Sequence, residues 1–181
     1  KIIYAGAVGT ANAMSVLVEV SKKLIDYTDI HFIIVGDGPE KQKLIKETNG
    51  QKNITFINKV KKEHVAGILR KCNLSYIGWH KRNIYNYGIS ANKYNDYMMA
   101  ELPILSASGL SHDPVNAAKC GLVVEAENID QISDAILQIY QMPEIERKKL
   151  GKKGKEYLLE NQEYSVLAKK YVNVFNEIIN Q

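Results

Sequence analysis

The chain has 181 residues, 45% of them hydrophobic and 24% charged, with 12 glycines, a balance that suits a packed domain and excludes collagen-like, mucin-like and wholly disordered classes. Its 24 Lys and Arg against 20 Asp and Glu leave a net charge of +4, too mild to demand nucleic acid yet compatible with a phosphate ligand or an acidic membrane face. A chain of this length buries roughly 70% of its unfolded surface, so neither disulfide nor structural metal is needed to hold the core. Cys72 and Cys120, its two cysteines, form no Cys-x-x-Cys pair and read as small buried hydrophobes.

The opening residues Lys1-Ile2-Ile3-Tyr4-Ala5-Gly6 enter an apolar run without an initiator Met, which suggests a piece of something longer. No apolar stretch reaches the roughly 18 residues of a membrane span and no leader pattern is present, so a cytoplasmic location is expected.

Short apolar runs alternate with amphipathic stretches along the chain. Strands are predicted over 2–5, 30–35, 54–57, 74–79, 103–106 and 121–124. Between them fall helices over 13–27, from Pro39 to about 50, over 62–71 and over 90–100. The span 80–88 is a polar loop rich in Tyr and Asn. Such alternation predicts βαβ units and an α/β, doubly wound parallel sheet of about six strands with helices on both faces. Residues 129–181 read as a helical tail, with Asn128 as the cap of its first helix. Arg147 to Lys155 reads as a solvated basic helix face, and Tyr164, Leu167, Tyr171, Phe175 and Ile178 form an apolar stripe. No linker divides the chain, so 1–181 is taken as one domain.

In an open parallel sheet, ligands bind beyond the carboxyl ends of the strands, so the turns after strands carry the functional signal. Gly6-Ala7-Val8-Gly9 leads into a helix and either merely turns the chain or lets backbone N–H groups approach an anion. Gly36-Asp37-Gly38-Pro39 is either a structural turn capped by Asp37 or a second anion approach. Ser90, an expected N-cap, together with Asn92 and Lys93 puts two hydrogen-bonding groups and a cation at a helix start, where a diphosphate could be held. Asp96, one turn on, either accepts hydrogen bonds from two ribose hydroxyls or pairs with Lys93 on the surface. His80, Lys81 and Arg82 follow the fourth strand and so lie near the same edge. His112 is an alternative acid or base in the loop after the fifth strand, and the histidines show no metal-ligand spacing.

In order and spacing, these segments resemble the C-terminal half of GT-B glycosyltransferases of family four. The resemblance rests on Tyr4-Ala5-Gly6 with Gly9 and Asn12; Val35 to Pro39; Ile54 to Val60; Asn92-Lys93 to Asp96-Tyr97-Met98; Leu102-Pro103; and Gly121 to Val124. Gly88 to Met98 looks most like bacterial enzymes that add sugars such as N-acetylfucosamine to surface polysaccharides. The resemblance implies a Rossmann-like nucleotide-sugar-binding domain, one half of a GT-B fold lacking its N-terminal acceptor domain. It implies retaining, hexosyl-type transfer from a nucleotide diphosphate donor, UDP-sugar or GDP-sugar, to a polysaccharide or lipid-linked acceptor. It further implies no metal or other cofactor, no nucleic-acid partner, and peripheral membrane association of the full-length enzyme. Asp96 would hold the ribose, Lys59 and Val60 the base, and Gly6, Gly9, Ser90, Asn92 and Lys93 the diphosphate and sugar. Gly36, His80, Lys81 and Arg82 stand as additional contacts.

The sequence departs from the family pattern at three places. Thr10, Ala11 and Asn12 offer no cation after the first glycine turn, so Lys93, or Lys81 with Arg82, would supply it. Gly88 stands where the first of two acidic residues falls, and Glu101 precedes Leu102-Pro103 where Gly or Lys is commoner. The competing readings are a nucleotide-sugar epimerase on the same fold and a non-catalytic Rossmann-like module.

Overall fold

The computed structural model describes residues 1–179. Six strands, β1 (Ile2–Ala5), β2 (Phe32–Val35), β3 (Ile54–Ile57), β4 (Leu74–Gly78), β5 (Ile104–Ala107) and β6 (Gly121–Val124), form one sheet in the order β3-β2-β1-β4-β5-β6. Every pairing is parallel. The runs that become strands are rich in Ile, Val and aromatic residues, which fit a pleated surface buried on both faces.

Side chains alternate across the sheet. Tyr4, Phe32, Ile34, Tyr76 and Leu105 pack on one face with α1 (Met14–Lys23), α2 (Lys41–Glu47) and α6 (Ile129–Gln141), through Leu17, Leu44 and Ile136. Ile3, Val35, Ile77 and Ile104 pack on the other with α3 (Lys62–Leu69), α4 (Asn92–Met99), α5 (Pro114–Ala118) and α7 (Glu144–Gln162), through Leu69, Tyr97, Val115 and Leu158. Both cysteines are buried in this second layer. The right-handed crossovers of a parallel sheet account for helices on both faces.

The strands fall within about two residues of the sequence expectations, and the differences lie in the helices. Helix α4 begins at Asn92, not Ser90: its N-cap is Ala91, held extended at φ −137° with no side-chain cap. Helix α1 stops at Lys23, well short of Tyr27. Helix α5 was not anticipated; Asp113 caps it by accepting from the Val115 N–H at 2.9 Å. Asn128 does cap α6, accepting from the Gln131 N–H at 3.0 Å.

The basic stretch lies in α7, whose interrupting Gly151 and Gly154 are buried against the Glu101 backbone and Cys120. The terminal helix α8 (Tyr164–Ile179) contributes no buried residue, and its apolar stripe faces outward, with Phe175 58% and Ile178 64% exposed. Among the described residues no helix is long and apolar enough to cross a membrane.

Candidate functional site

The strand order reverses between β1 and β4, the point where a doubly wound sheet opens a crevice. Other neighbouring strands pair over four residues, but β1 meets β4 only at Ile2 with Leu74 and Ile3 with Ser75 before the two diverge. The β1 backbone beyond that point needs another partner. Tyr97 of α4 supplies it: its buried hydroxyl accepts from the Ala5 N–H at 2.8 Å.

Lys93, also on α4, reaches under the first glycine turn. Its ammonium donates to Asn12 Oδ1 at 2.5 Å and Tyr4 Oη at 3.2 Å, and sits 4.8 Å from the centre of the Tyr4 ring. Burial lowers its pKa to about 8. The expected alternative, a Lys93 to Asp96 surface pair, is not formed. The cation that the first turn lacks is thus brought beside Asn12 from a helix far along the chain.

The first two turns are laced together by Gly6 N–H to Val35 O at 2.9 Å, Val8 N–H to Asp37 O at 2.9 Å and Glu40 N–H to Val8 O at 3.2 Å. Gly36 makes this approach possible. At φ 148°, a Cβ there would lie 1.8 Å from the Gly6 carbonyl oxygen, so no side chain fits. Asp37 does not cap α2, as the sequence suggested; Glu40 occupies the N-cap position. The Asp37 carboxylate instead accepts from Lys41 Nζ at 2.8 Å and the Lys59 N–H at 3.0 Å, and these bonds hold its pKa below the usual value.

These elements enclose a cleft of about 570 Å³ lined by Gly6, Gly36, Lys59, Val60, Asn92 and Asp96, with Asp37, Lys62 and apolar wall residues. Residues singled out from four separate turns therefore converge. Asp96 is exposed at the cleft and its carboxylate has no partner among the described residues. Gly9 stands off the lining, beside Pro39. Ser90 lines a different, small crevice with Tyr94, Pro114 and Tyr157. Neither Gly9 nor Ser90 lines the cleft, and nor does Lys93, whose ammonium lies beneath the first turn beside Asn12; Ser90 stands apart because the chain stays extended through Ala91 before turning helical.

His80, Lys81 and Arg82 line a second crevice of about 250 Å³ beyond β4, β5 and β6, with Asn83, Ser108 and Glu125. His80 Nδ1 lies 2.5 Å from Glu127 Oε1, and the Lys81 N–H donates to Glu127 Oε2 at 3.2 Å. The His80 hydrogen bond, then the Lys81 N–H, lowers the Glu127 pKa. His112 is tied down by its Nε2–H, which donates to the Tyr85 carbonyl oxygen at 3.1 Å. The fully buried Asp113 anchors the loop after β5, which brings Ser108 to this second crevice. It accepts from Ser106 and Ser108 at 2.6 Å and from Tyr94 at 3.0 Å, while Tyr94 accepts from Trp79 Nε1 at 3.1 Å.

Two of the departures noted in the sequence now have local causes. Gly88 sits at φ 133° after a tight turn over 83–87, where an acidic side chain would be strained. Glu101 is in the left-handed region at φ 57° and pairs with Lys155 at 2.6 Å, an ion pair that a glycine would forgo. Lys41, 5% exposed, was not foreseen at all.

A family model described as "Glycosyl transferases group 1" matches residues 1–142. The chain belongs to this family. Among solved structures, sucrose-phosphate synthase from Thermosynechococcus elongatus superposes with a TM-score of 0.78 at 17% identity, over 99% of this chain and 45% of its own. An S. aureus TarM mutant in complex with fondaparinux, alpha-GlcNAc-glycerol and UDP gives 0.75 at 18% identity, over 97% of this chain and 35% of its own. The C-terminal domain of a glycosyl transferase group 1 family protein, LpcC, from Francisella tularensis gives 0.71 at 16% identity, over 90% of this chain and 85% of its own. At these identities the likeness establishes the fold, that of a GT-B glycosyltransferase domain, and the chain spans less than half of the two longer proteins. No curated protein sequence matches it significantly.

Proposed function

We propose that this chain is the donor-binding half of a retaining, family-four-type glycosyltransferase. It would serve bacterial surface polysaccharide or glycolipid synthesis at the inner face of the cytoplasmic membrane. One observation carries the reading: a single cleft gathers Gly6, Gly36, Lys59, Val60, Asn92 and Asp96 at the point where strand order reverses. In it the base lies against Lys59 and Val60, Asp96 accepts from the ribose hydroxyls, and the diphosphate meets the Gly6 turn above Lys93. The presence of UDP in the TarM structure of the same fold favours a UDP-sugar over a GDP-sugar.

The bond from the anomeric carbon to the diphosphate breaks as one forms to the acceptor oxygen, and the acceptor proton passes to the departing diphosphate. Negative charge develops on that leaving group, where Lys93 and the Ala7 N–H, which unlike those of Gly6 and Val8 has no partner among the described residues, can stabilise it without a metal. Attack from the face that the leaving group vacates retains configuration and needs no protein nucleophile. His80, Lys81 and Arg82 lie toward the sugar and acceptor. Acceptor contacts belong to a facing N-terminal domain, so the 181-residue chain alone is expected to bind nucleotide weakly and transfer nothing.

Amide chemical-shift mapping with UDP, GDP and NAD tests the reading. Saturable shifts at Val60, Asn92 and Asp96 with a single diphosphate nucleotide are expected. Absence of shifts with all three would overturn it.

A further inference from the structure

Lys41 opens α2 yet is 5% exposed. Burying an ammonium is costly unless it is fully hydrogen-bonded. Here it faces Gly36 O, Asp37 Oδ1 and Asn58 Oδ1 at 2.8 Å and Ile57 O at 3.1 Å. Its acceptors come in equal measure from the turn after β2 and the turn after β3, which are otherwise joined at this level by the Gly36 N–H to Ile57 O bond. The tie is then passed on, because the second Asp37 oxygen accepts from the Lys59 N–H at 3.0 Å. With Lys59 N–H so engaged, the adjacent Val60 N–H and C=O remain without a partner among the described residues, on the cleft lining. A donor and an acceptor on one residue suit the edge of a base, provided the backbone is held at a fixed depth.

We propose that Lys41 is a positioning residue that sets the Lys59–Val60 backbone against the base, acting through Asp37 and Asn58 without touching the ligand. The proposal rests on the nucleotide reading of the cleft. A purely structural staple would support the whole cleft alike; a positioning residue affects the base-binding wall and spares the diphosphate end, which is built from β1 and α4.

The test uses Lys41→Met, which keeps the length of the side chain and removes its donors. In the ligand-free chain, hydrogen exchange at the Lys59 amide is expected to quicken by about tenfold or more, while amides of β1 and α1 keep their wild-type rates. Uridine and UDP should each bind about tenfold more weakly, with pyrophosphate affinity held within about twofold. Unchanged exchange at Lys59 would overturn the role of Lys41 whatever the ligand, and so would equal losses for uridine and pyrophosphate. A wild-type chain that binds neither uridine nor UDP would instead refute the nucleotide reading, and the base-positioning role with it. Should Lys41→Met fail to fold, Asp37→Ala removes both carboxylate oxygens, and with them the link to Lys59, from an exposed position and must give the same selective loss.

Discussion

Lys93→Met is expected to move stability and ligand affinity in opposite directions. Burial brings the Lys93 pKa from 10.5 to about 8, which corresponds to a cost of about 3 kcal/mol for holding the charge in the folded, ligand-free chain. The cation's approach to the Tyr4 ring returns about 1 kcal/mol and its hydrogen bonds to Tyr4 and Asn12 about 1 kcal/mol more. Methionine removes all of these, for a net gain of about 1 kcal/mol, or a rise in Tm of about 2–4 °C. The folded pKa lies below the unfolded one, so the charge penalty is fully present below pH 8. It disappears between pH 8 and 10.5, where the folded wild type releases its proton first; the variant's advantage shrinks over the same window. A diphosphate changes the sign, because the ammonium is then paired. UDP affinity should fall by about 10- to 100-fold in the variant with uridine nearly unaffected, and in the wild type it should decline above pH 8. Thermal melts across pH with parallel calorimetric titrations of UDP and uridine decide the matter. A melt lowered by several degrees, or equal losses for both ligands, would refute the reasoning.

Asp96→Ala should weaken UDP binding by about 1–3 kcal/mol and abolish discrimination against a nucleotide lacking ribose hydroxyls; an unchanged dissociation constant contradicts the ribose assignment. Glu101→Gly relieves a left-handed backbone at φ 57°, worth about 1 kcal/mol, against a surface pair with Lys155 worth about 0.5 kcal/mol. The melt should therefore rise slightly, and a clear fall would mean that the ion pair dominates. Asp113→Ala strands the hydroxyls of Tyr94, Ser106 and Ser108 and the Val115 N–H. Urea denaturation should show a loss of about 3 kcal/mol or more, and a loss under about 1 kcal/mol would argue against the network as a stabilising unit.

The sheet was legible because apolar runs such as Ile2–Ala5 and Phe32–Val35 are buried on both faces and end in glycine turns. Helix α5, over Pro114–Ala118, is too short to show a period. The Ser90 cap was a reasonable reading of composition, but no local signal marks Ala91 as still extended. The convergence of Gly6, Gly36, Asn92 and Asp96 was anticipated from turns placed after strands, since topology brings such turns to one edge, whereas Lys59 and Val60 were singled out only by the family resemblance. Lys41 was missed because a lysine at the start of a helix ordinarily faces water; its burial is imposed by Ile57 and Asn58, residues of another unit. The partners of Lys93 were equally out of reach, lying 81 and 89 positions away.

The short pairing of β1 with β4 bears on how the protein acquires its shape in time. No local piece of chain contains the crevice; it comes into being only when segments far apart in sequence have met, Lys93 with Asn12 across 81 positions among them. Contacts of such separation form after local helices, because chain closure must precede any favourable interaction. A ligand specific for the crevice therefore reports the finished fold, and in refolding its capture should lag behind the recovery of helical circular dichroism.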